Sequence, residues 1–277
     1  MVAARAGRRT RYPTHQMLQG LDHIVIAVAD PDAAAATLEA ELGLVATGGG
    51  RHDALGTFNR LVWLGDTYLE LLGIFERALA ERSWLGAPTM EMLSRGGGLT
   101  TWALATDTLA IDLAALRAAG SDLGDSIVGQ RRRADGALVS WRLAVPARLG
   151  PSEPPFLIEH DAASAEWTPP DRATRLVLAH PLGGPVRLEA LELAVDDVSR
   201  TGQRFARTAG LRFRPSLSGR GSRDADVGGQ IVRLSPRRGG SGEAVIRLVA
   251  PVAEDRVVDL FGCRWVVRPG APTRHSI

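Results

Sequence analysis

One spacing recurs three times along this chain and sets its architecture. In each copy an aspartate precedes a glycine by thirteen residues: Asp30 and Gly43, Asp107 and Gly120, and Asp197 and Gly210. An aspartate at a helix start accepts hydrogen bonds from the unpaired first-turn N–H groups, and a glycine just past the helix end adopts the left-handed conformation. Each interval therefore predicts one helix of about three turns.

Alternating apolar runs, which are typical of strands, flank each predicted helix. The runs before the helices are "LDHIVIAV" from residue 21, "LTTWALAT" from residue 99 and "LEALELAV" from residue 188. Three strand-like runs follow each helix, and the last of them are "YLELL", "FLIEH" and "VIRLV". The sequence therefore predicts an α+β fold of tandem βαβββ modules. Two modules would pair around a cavity, and the third would be degenerate and followed by a C-terminal hairpin.

These modules divide the chain into four parts. Residues 1–16 are basic and lack apolar periodicity, which predicts a disordered extension. Residues 17–165 are predicted to form the paired modules, and residues 166–186, rich in Pro, Ala and Asp, a linker. Residues 187–277 would form the third module. Since this module lacks a partner within the chain, pairing with the same module of another chain favours a homodimer.

Composition excludes several classes of protein. No stretch approaches the roughly 18 consecutive apolar residues of a membrane span, which favours a cytoplasmic protein without a membrane partner. The single cysteine, Cys263, excludes an internal disulfide and a multi-cysteine zinc cluster. All 33 basic residues are arginines, which excludes a Schiff-base lysine and a P-loop. A net charge of +2 gives no support to nucleic-acid binding.

Polar residues recur at matching places when the copies are aligned on their capping aspartates. The first strands then align His23, Thr100 and Ala190, and the last strands align Glu70, Glu159 and Arg247. Carboxylates within apolar strands are costly unless they are paired, hydrogen-bonded or bound to metal. If the first two copies pack together, His23, Glu70 and Glu159 would meet in one cavity. One imidazole and two carboxylates suit a divalent cation such as Zn, Mn, Fe, Co or Ni.

The first two copies resemble the vicinal oxygen chelate superfamily, in particular its uncharacterised glyoxalase-like branch. The resemblance lies in "LDHIVIAV", "GGGRHDALGTFNRLVWLGDTYLELL", "GGLTTWALAT", "RRRADGALVSWRLAVP" and "PFLIEH". It implies metal ligands on the first and last strands of the paired modules, which fall on His23, Glu70, Thr100 and Glu159. Thr100 departs from the family, where a His or Gln would be expected.

A structural interpretation of the same residues stays open. His23 would then be a core histidine, and Glu70 and Glu159 would be inward carboxylates paired with arginines such as Arg60 or Arg142. His160 follows Glu159 on the same strand and would face the opposite side, so it is not a predicted ligand.

Further residues are candidates for contact with a small molecule. The loop "GGRHDALGTFNR" leads into a strand and carries His52, Asn59 and Arg60, where loops on a rigid scaffold commonly meet substrate. Thr100 and Trp102 would share a strand face, and Arg142 lies in "SWRLAV". We count Asn59, Arg60, Thr100, Trp102 and Arg142 as candidate substrate contacts.

Two functions follow from this pattern. The first is a metal-dependent enzyme that binds a small oxygenated molecule through its oxygens and stabilises an enolate-type intermediate, as an isomerase, a lyase or a dioxygenase. Glu70 or Glu159 would serve as ligand or general base, with His52 as a further proton carrier. The second is a metal-free protein that binds or sequesters a small molecule in the same cavity.

Overall fold

The computed structural model describes residues 18–238 and 244–270, so the predicted extension at residues 1–16 lies outside the described part of the chain. The first module comprises β1 (Gly20–Ala27), α1 (Pro31–Leu42), β2 (Gly48–His52), β3 (Thr57–Leu64) and β4 (Thr67–Ile74), followed by α2 (Arg77–Ala80) and α3 (Gly86–Ser94). The second comprises β5 (Gly98–Ala105), α4 (Leu109–Ala118), β6 (Ile127–Arg132), β7 (Leu138–Ala144) and β8 (Phe156–His160).

The remaining elements begin with α5 (Pro169–Leu176), which lies in the segment predicted as a linker. They continue with β9 (Arg187–Val195), α6 (Val198–Ala209), β10 (Arg214–Pro215), β11 (Arg223–Val227), β12 (Gln230–Pro236), β13 (Ala244–Ala250), β14 (Arg256–Leu260) and β15 (Cys263–Pro269). Within the described residues, no helix combines the length and apolarity needed to span a membrane.

The eight strands of the first two modules form one closed barrel. Its strand order is β1-β4-β3-β2-β6-β7-β8-β5, which returns to β1. Within each module the first strand runs parallel to the last, and the two modules meet through the antiparallel pair β1 and β5. The predicted α+β fold with two βαβββ modules paired around a cavity is confirmed.

The predicted helix caps explain two of the three repeated helices. Asp30 accepts hydrogen bonds from the amides of Asp32 and Ala33, and Gly43 ends α1 with a φ of 65°. Asp197 and Gly210 bound α6 in the same way. In the second copy the prediction was wrong by one residue, because α4 is preceded by Thr108 at the cap position and not by Asp107.

The remaining seven strands form an open sheet that repeats most of the barrel. Its order is β10-β11-β12-β9-β13-β15-β14, which matches β2-β3-β4-β1-β5-β8-β7 of the barrel in both order and direction. The last strand of the third module is therefore β12, whereas the sequence analysis placed it at β13. The stretch "SGRGSRDADVGG" at residues 218–229, whose Gly and Arg content predicts a loop, contains β11. The predicted C-terminal hairpin is present as β14 and β15.

One apolar core joins the barrel to this second sheet. Side chains from the outer face of the barrel, among them Trp102, pack with Phe205 of α6 and with residues of the second sheet. Strands β13 to β15 extend the sheet of the third module and so supply the partner that it was expected to lack within the chain. Pairing with another chain is therefore not needed to complete this sheet. The homodimer stays a prediction.

Candidate functional site

A small cavity lies inside the barrel, and aromatic side chains form a large part of its walls. The aromatic residues that line it are Trp63, Tyr68, Trp84, Trp141, Phe156 and Trp167. Its polar lining residues are His23, His52, Asn59, Glu70, Arg131, His160 and Glu166. A concave, apolar site with a few convergent polar groups is the usual form of a small-molecule site.

His23 is positioned by an irregularity in β1. The pairing of β1 with β5 shifts register between Leu21 and His23, so Asp22 is an additional residue at this point. Such a bulge changes the direction of neighbouring side chains and breaks the alternation of strand faces. Asp22 and His23 are consecutive, yet the Asp22 carboxylate accepts a hydrogen bond from Nδ1 of His23 at 2.6 Å. Both side chains are buried.

Asp22 also binds a second histidine. Nε2 of His160 lies 3.1 Å from both carboxylate oxygens of Asp22, and the His160 ring stacks on Trp167. Burial alone would raise the pKa of Asp22, but the two imidazoles, His160 above all, hold it well below its usual range. An ionised Asp22 accepts N–H from both rings, so in the neutral tautomer of His23 the nitrogen without a proton is Nε2, on the cavity side.

Glu70 is one of two acidic groups that line the cavity. It lies on β4 next to β1, and it is 4% exposed. Nδ2 of Asn59 donates a hydrogen bond to its Oε1 at 2.7 Å, and Oδ1 of Asn59 accepts one from the amide of Gly50. Its Oε2 lies 3.6 Å from Nε2 of His23, which is too long for a hydrogen bond. Both of these atoms therefore remain able to act on a third group.

His52 lies at the end of β2 on the other side of Glu70. Its Nδ1 is 2.9 Å from the hydroxyl of Thr57, and its Nε2 is 3.9 Å from Oε1 of Glu70. Burial lowers the pKa of His52 to about 4; Glu70 opposes this effect and Arg131 adds to it. His52 is therefore neutral at pH 7.

The segment after β8 closes one end of the cavity. Glu166, in the left-handed region with a φ of 69°, forms an ion pair with Arg131 of β6. The next residue, Trp167, stacks on His160, and the guanidinium of Arg175 in α5 lies 4.1 Å from the ring of Trp63. This segment therefore contributes walls to the cavity as well as connecting the barrel to the second sheet.

The structure brings His23, Glu70, His52 and Asn59 together but places Glu159 elsewhere. On β8 the residues that face the cavity are Phe156, Ile158 and His160. Glu159 lies on the opposite face, in a groove between the barrel and the second sheet. The orientations expected for Glu159 and His160 are therefore reversed. The cause is a one-residue error in the alignment of "FLIEH" with "YLELL", which exchanges the two faces of a strand.

Four predicted substrate contacts also lie away from the cavity. Trp102 faces the outer core, where it packs on Phe205. Thr100 is the additional residue at a second register shift between β5 and β1, and it is buried. Arg60 pairs with Asp32 of α1 at 2.5 Å, on the outside of the barrel. Arg142 is exposed on β7, opposite Glu159 in the register.

The predicted donor set does not fit a metal ion. Of His23, Glu70 and Glu159, two meet and the third faces away. His52 is the nearest replacement, since its Nε2 and that of His23 both face Glu70. Even so, within residues 18–238 and 244–270, no three His, Cys, Asp or Glu side chains are arranged as a metal site.

Sequence reasoning missed Asp22, Arg131, His160 and Glu166. The acidic neighbour of His23 is visible in "LDHIV", but strict alternation assigns it to the other face of the strand. Arg131 stands in the run "RRR", which is more often a solvated hairpin end than a source of one buried guanidinium. Glu166 comes from a segment without strand or helix periodicity, so no local pattern marks it.

Comparison with known proteins supports the same fold. The family described as "Glyoxalase-like domain" matches residues 21–209, which is well over half of the chain. The chain belongs to this family. The match begins in β1 and ends at the last residue of α6, so this glyoxalase-like domain includes the segment after β8 and the start of the second sheet. The resemblance to the vicinal oxygen chelate superfamily is confirmed.

Two solved structures illustrate what the chain is similar to. A hypothetical protein from Staphylococcus aureus is 15% identical, with a TM-score of 0.73, and the alignment covers 90% of this chain and 98% of that one. This likeness shows that both sheets belong to one fold. Methylmalonyl-CoA epimerase from Mycobacterium tuberculosis is 20% identical, with a TM-score of 0.40, and the alignment covers 54% of this chain and 93% of that one. No curated protein matches the sequence.

Proposed function

We propose that this glyoxalase-like domain is an enzyme that moves a proton on a small oxygenated molecule held in the barrel cavity. One observation carries the proposal. Oε2 of Glu70 and Nε2 of His23 face each other at 3.6 Å without a hydrogen bond, in a buried site. Proton transfer from carbon requires an acceptor of this kind within reach of the substrate.

Five polar residues have roles in this chemistry. Glu70 Oε2 accepts the proton from a carbon next to a carbonyl group, while Asn59 holds Oε1 and so fixes the direction of the carboxylate. His23 Nε2 is the second proton carrier, and Asp22 keeps its ring in the required tautomer. His52 is neutral and adjoins Glu70, so it can receive the proton next.

The aromatic walls exclude water from the reacting groups. In a site of low polarity, interactions with developing charge are stronger than in water. The carbonyl compound would lose a proton to Glu70 and hold the electron pair as an enolate. Return of a proton to the opposite face of that carbon would give the epimer, and return to the same face would restore the substrate. Such a reaction is an isomerisation, and lyase reactions share its first step.

Members of the superfamily commonly use a divalent metal ion, which would polarise the carbonyl as a Lewis acid. Since the predicted ligands do not meet around one point here, we derive no step through a metal. Elemental analysis of protein purified without chelator measures the cation content directly. We expect well under one cation per chain, and a stoichiometric cation that is lost in Glu70→Gln would overturn this expectation.

Deuterium exchange tests the proposed reaction. The protein is incubated in D2O with a series of small ketones and aldehydes, and NMR follows deuterium entering at the carbon next to the carbonyl. We expect exchange with at least one compound, and a loss of about 100-fold or more in Glu70→Gln. Glu39→Gln, which changes an exposed carboxylate on α1, is the matched control. Equal rates in both variants would overturn the proposal.

The aromatic walls also favour a second candidate, a protein that binds a small apolar molecule without reaction. Four of the six tryptophans line the cavity, so ligand binding should quench their fluorescence. Binding with the same affinity in wild type and Glu70→Gln, without deuterium exchange in either, would favour this candidate.

A further inference from the structure

The side chain of Arg131 lies inside the barrel with one part of its guanidinium unused. It is 4% exposed, and its Nη2 donates to Glu166. Its Nη1 is buried and has no hydrogen-bond partner among the described residues. A buried N–H group of this kind normally has a partner, and leaving it unpaired is costly. An oxygen atom of a bound molecule would satisfy it.

The fold places Arg131 next to the proton-transfer groups. Strands β2 and β6 close the barrel through the antiparallel pair Arg51 and Arg132, which puts Arg131 opposite His52 in the register. A Cβ atom on Gly50 would stand 3.2 Å from Cγ of Arg131. The amide of Gly50 binds Asn59, whose other end binds Glu70. Arg131 of β6 therefore reaches the cavity beside β2, and Gly50 of β2 helps to fix Glu70 through Asn59.

The charges around the cavity favour an uncharged ligand over an anion. Its lining includes two carboxyl groups, Glu70 and Glu166, and one guanidinium, Arg131. The positive charge of Arg131 is felt across the cavity, where it adds to the burial that lowers the pKa of His52. Since Glu166 already neutralises Arg131, a ligand carboxylate would face Glu70 without a free counter-charge. A neutral carbonyl oxygen needs only the N–H donor.

We propose that Nη1 of Arg131 binds the carbonyl oxygen of an uncharged ketone or aldehyde and stabilises the enolate oxygen as it forms. This inference rests on the proposed function and names its substrate class. The C–H bond next to the carbonyl breaks, its proton goes to Oε2 of Glu70, and its electron pair moves onto the oxygen beside Arg131. Because Glu70 becomes neutral when it takes the proton, the enolate adds no net charge to the cavity, and the N–H of Arg131 stabilises the oxygen on which the charge now lies.

Binding of matched small molecules tests this site without any need for turnover. Cyclopentanone and methylenecyclopentane have nearly the same shape, but the second replaces the carbonyl oxygen by CH2. Cyclobutanecarboxylate is an anion of similar size. Affinities are measured by ligand-detected NMR and by tryptophan fluorescence for wild type, Arg131→Met and the double variant Arg131→Met with Glu166→Gln. The double variant leaves no uncompensated carboxylate if the single variant fails to fold.

In wild type we expect cyclopentanone to bind about tenfold or more tighter than methylenecyclopentane, because a hydrogen bond to a charged group is gained. We expect this preference to vanish in the Arg131 variants, while the affinity for methylenecyclopentane stays the same. An unchanged preference in both variants would overturn the proposal. Tighter binding of cyclobutanecarboxylate than of cyclopentanone in wild type would overturn the assignment to uncharged ligands.

These results are separate from the fate of the proposed function. An Arg131-dependent preference for the ketone, without deuterium exchange in any protein, would support the binding site and count against the reaction. Exchange that is lost in Glu70→Gln and retained in the Arg131 double variant would support the reaction and count against Arg131.

Discussion

The barrel and the second sheet are two versions of one strand arrangement. The second sheet follows the barrel strand by strand, but the described residues include no counterpart of β6 and no helix between β13 and β14. Without the eighth strand the sheet does not close, and its concave face stays open. The barrel encloses its polar groups among aromatic side chains, whereas the sheet exposes its polar groups to a wide groove.

Equivalent positions of the two sheets carry opposite chemistry. Glu70 of β4 pairs in register with Val25 of β1, and Arg233 of β12 pairs with Glu192 of β9. Arg233 is fixed by Asp224, with N to O distances of 2.7 and 2.9 Å, and Glu192 accepts a hydrogen bond from Arg247. In the barrel the same position holds an acid that is contacted by an amide and two imidazoles. Ion pairs stabilise the sheet, and the unpaired acid of the barrel is available for chemistry.

The largest expected difference between the two sheets concerns activity. Asp22→Asn in the barrel should lower the rate of deuterium exchange about 100-fold or more, because His23 loses the acceptor that fixes its tautomer. Asp224→Asn in the second sheet removes a carboxylate from an ion pair and should leave the rate within about twofold. NMR measures both rates with the same ketone. An equal loss of exchange rate in the two variants would contradict the assignment of the reaction to the barrel.

The next effect concerns the core that the two sheets share. Trp102 is fully buried between the barrel and α6, so Trp102→Ala should lower the free energy of unfolding by about 3–5 kcal/mol. Urea unfolding followed by circular dichroism should still show a single transition, since barrel and sheet share one core. Trp84→Ala, at a half-buried cavity position, should cost less. Two separate transitions would contradict a shared core.

Much of this fold follows from local sequence patterns. The side chains of Asp30 and Asp197 accept hydrogen bonds from first-turn amides, and Gly43 and Gly210 end the helices in the left-handed conformation, so spacing alone predicts these helix bounds. The strands of the third module are harder to predict from sequence, because β10 has only two residues and β11 lies in a stretch rich in Gly and Arg. Pairing with neighbouring strands stabilises such short strands, and their sequence carries little of that information.

The site was predictable only in part. His23 and Glu70 stand out because each interrupts an apolar strand. The position of Asp22 depends on a register shift between β1 and β5. The position of Glu166 depends on its own positive φ, in the segment after the barrel. Both depend on contacts between distant parts of the chain. A one-residue error in register was enough to exchange Glu159 for His160.

A smaller effect is the response of the barrel to acid. His52 has a pKa of about 4 in the folded protein and about 6.5 when unfolded, so the unfolded state binds more protons between these values. Stability is complete above pH 6.5 and falls as the pH drops towards 4, by roughly 3 kcal/mol for this residue. The lowered pKa of His160 acts in the same direction. The described strands of the second sheet, β9 to β15, contain no histidine.

Urea unfolding at several pH values measures this dependence. We expect His52→Gln to show a flatter fall in stability between pH 6.5 and 4 than wild type. An exposed control is Arg142→Gln, which should leave the slope unchanged. An equally steep slope in His52→Gln would show that the ring is not held neutral in the folded barrel.

The smallest expected effect tests the strand register on which the whole comparison depends. Glu159→Gln changes a half-buried group on the outer face of β8, opposite the exposed Arg142, so it should alter the free energy of unfolding by no more than about 1 kcal/mol. It should also leave deuterium exchange unchanged, whereas Glu70→Gln on β4 abolishes it. Both substitutions replace one carboxylate by an amide on the last strand of a module, and they differ in the face that carries it. A loss of exchange in Glu159→Gln would return this residue to the cavity and remove His160 from it, because consecutive residues of a regular strand face opposite sides.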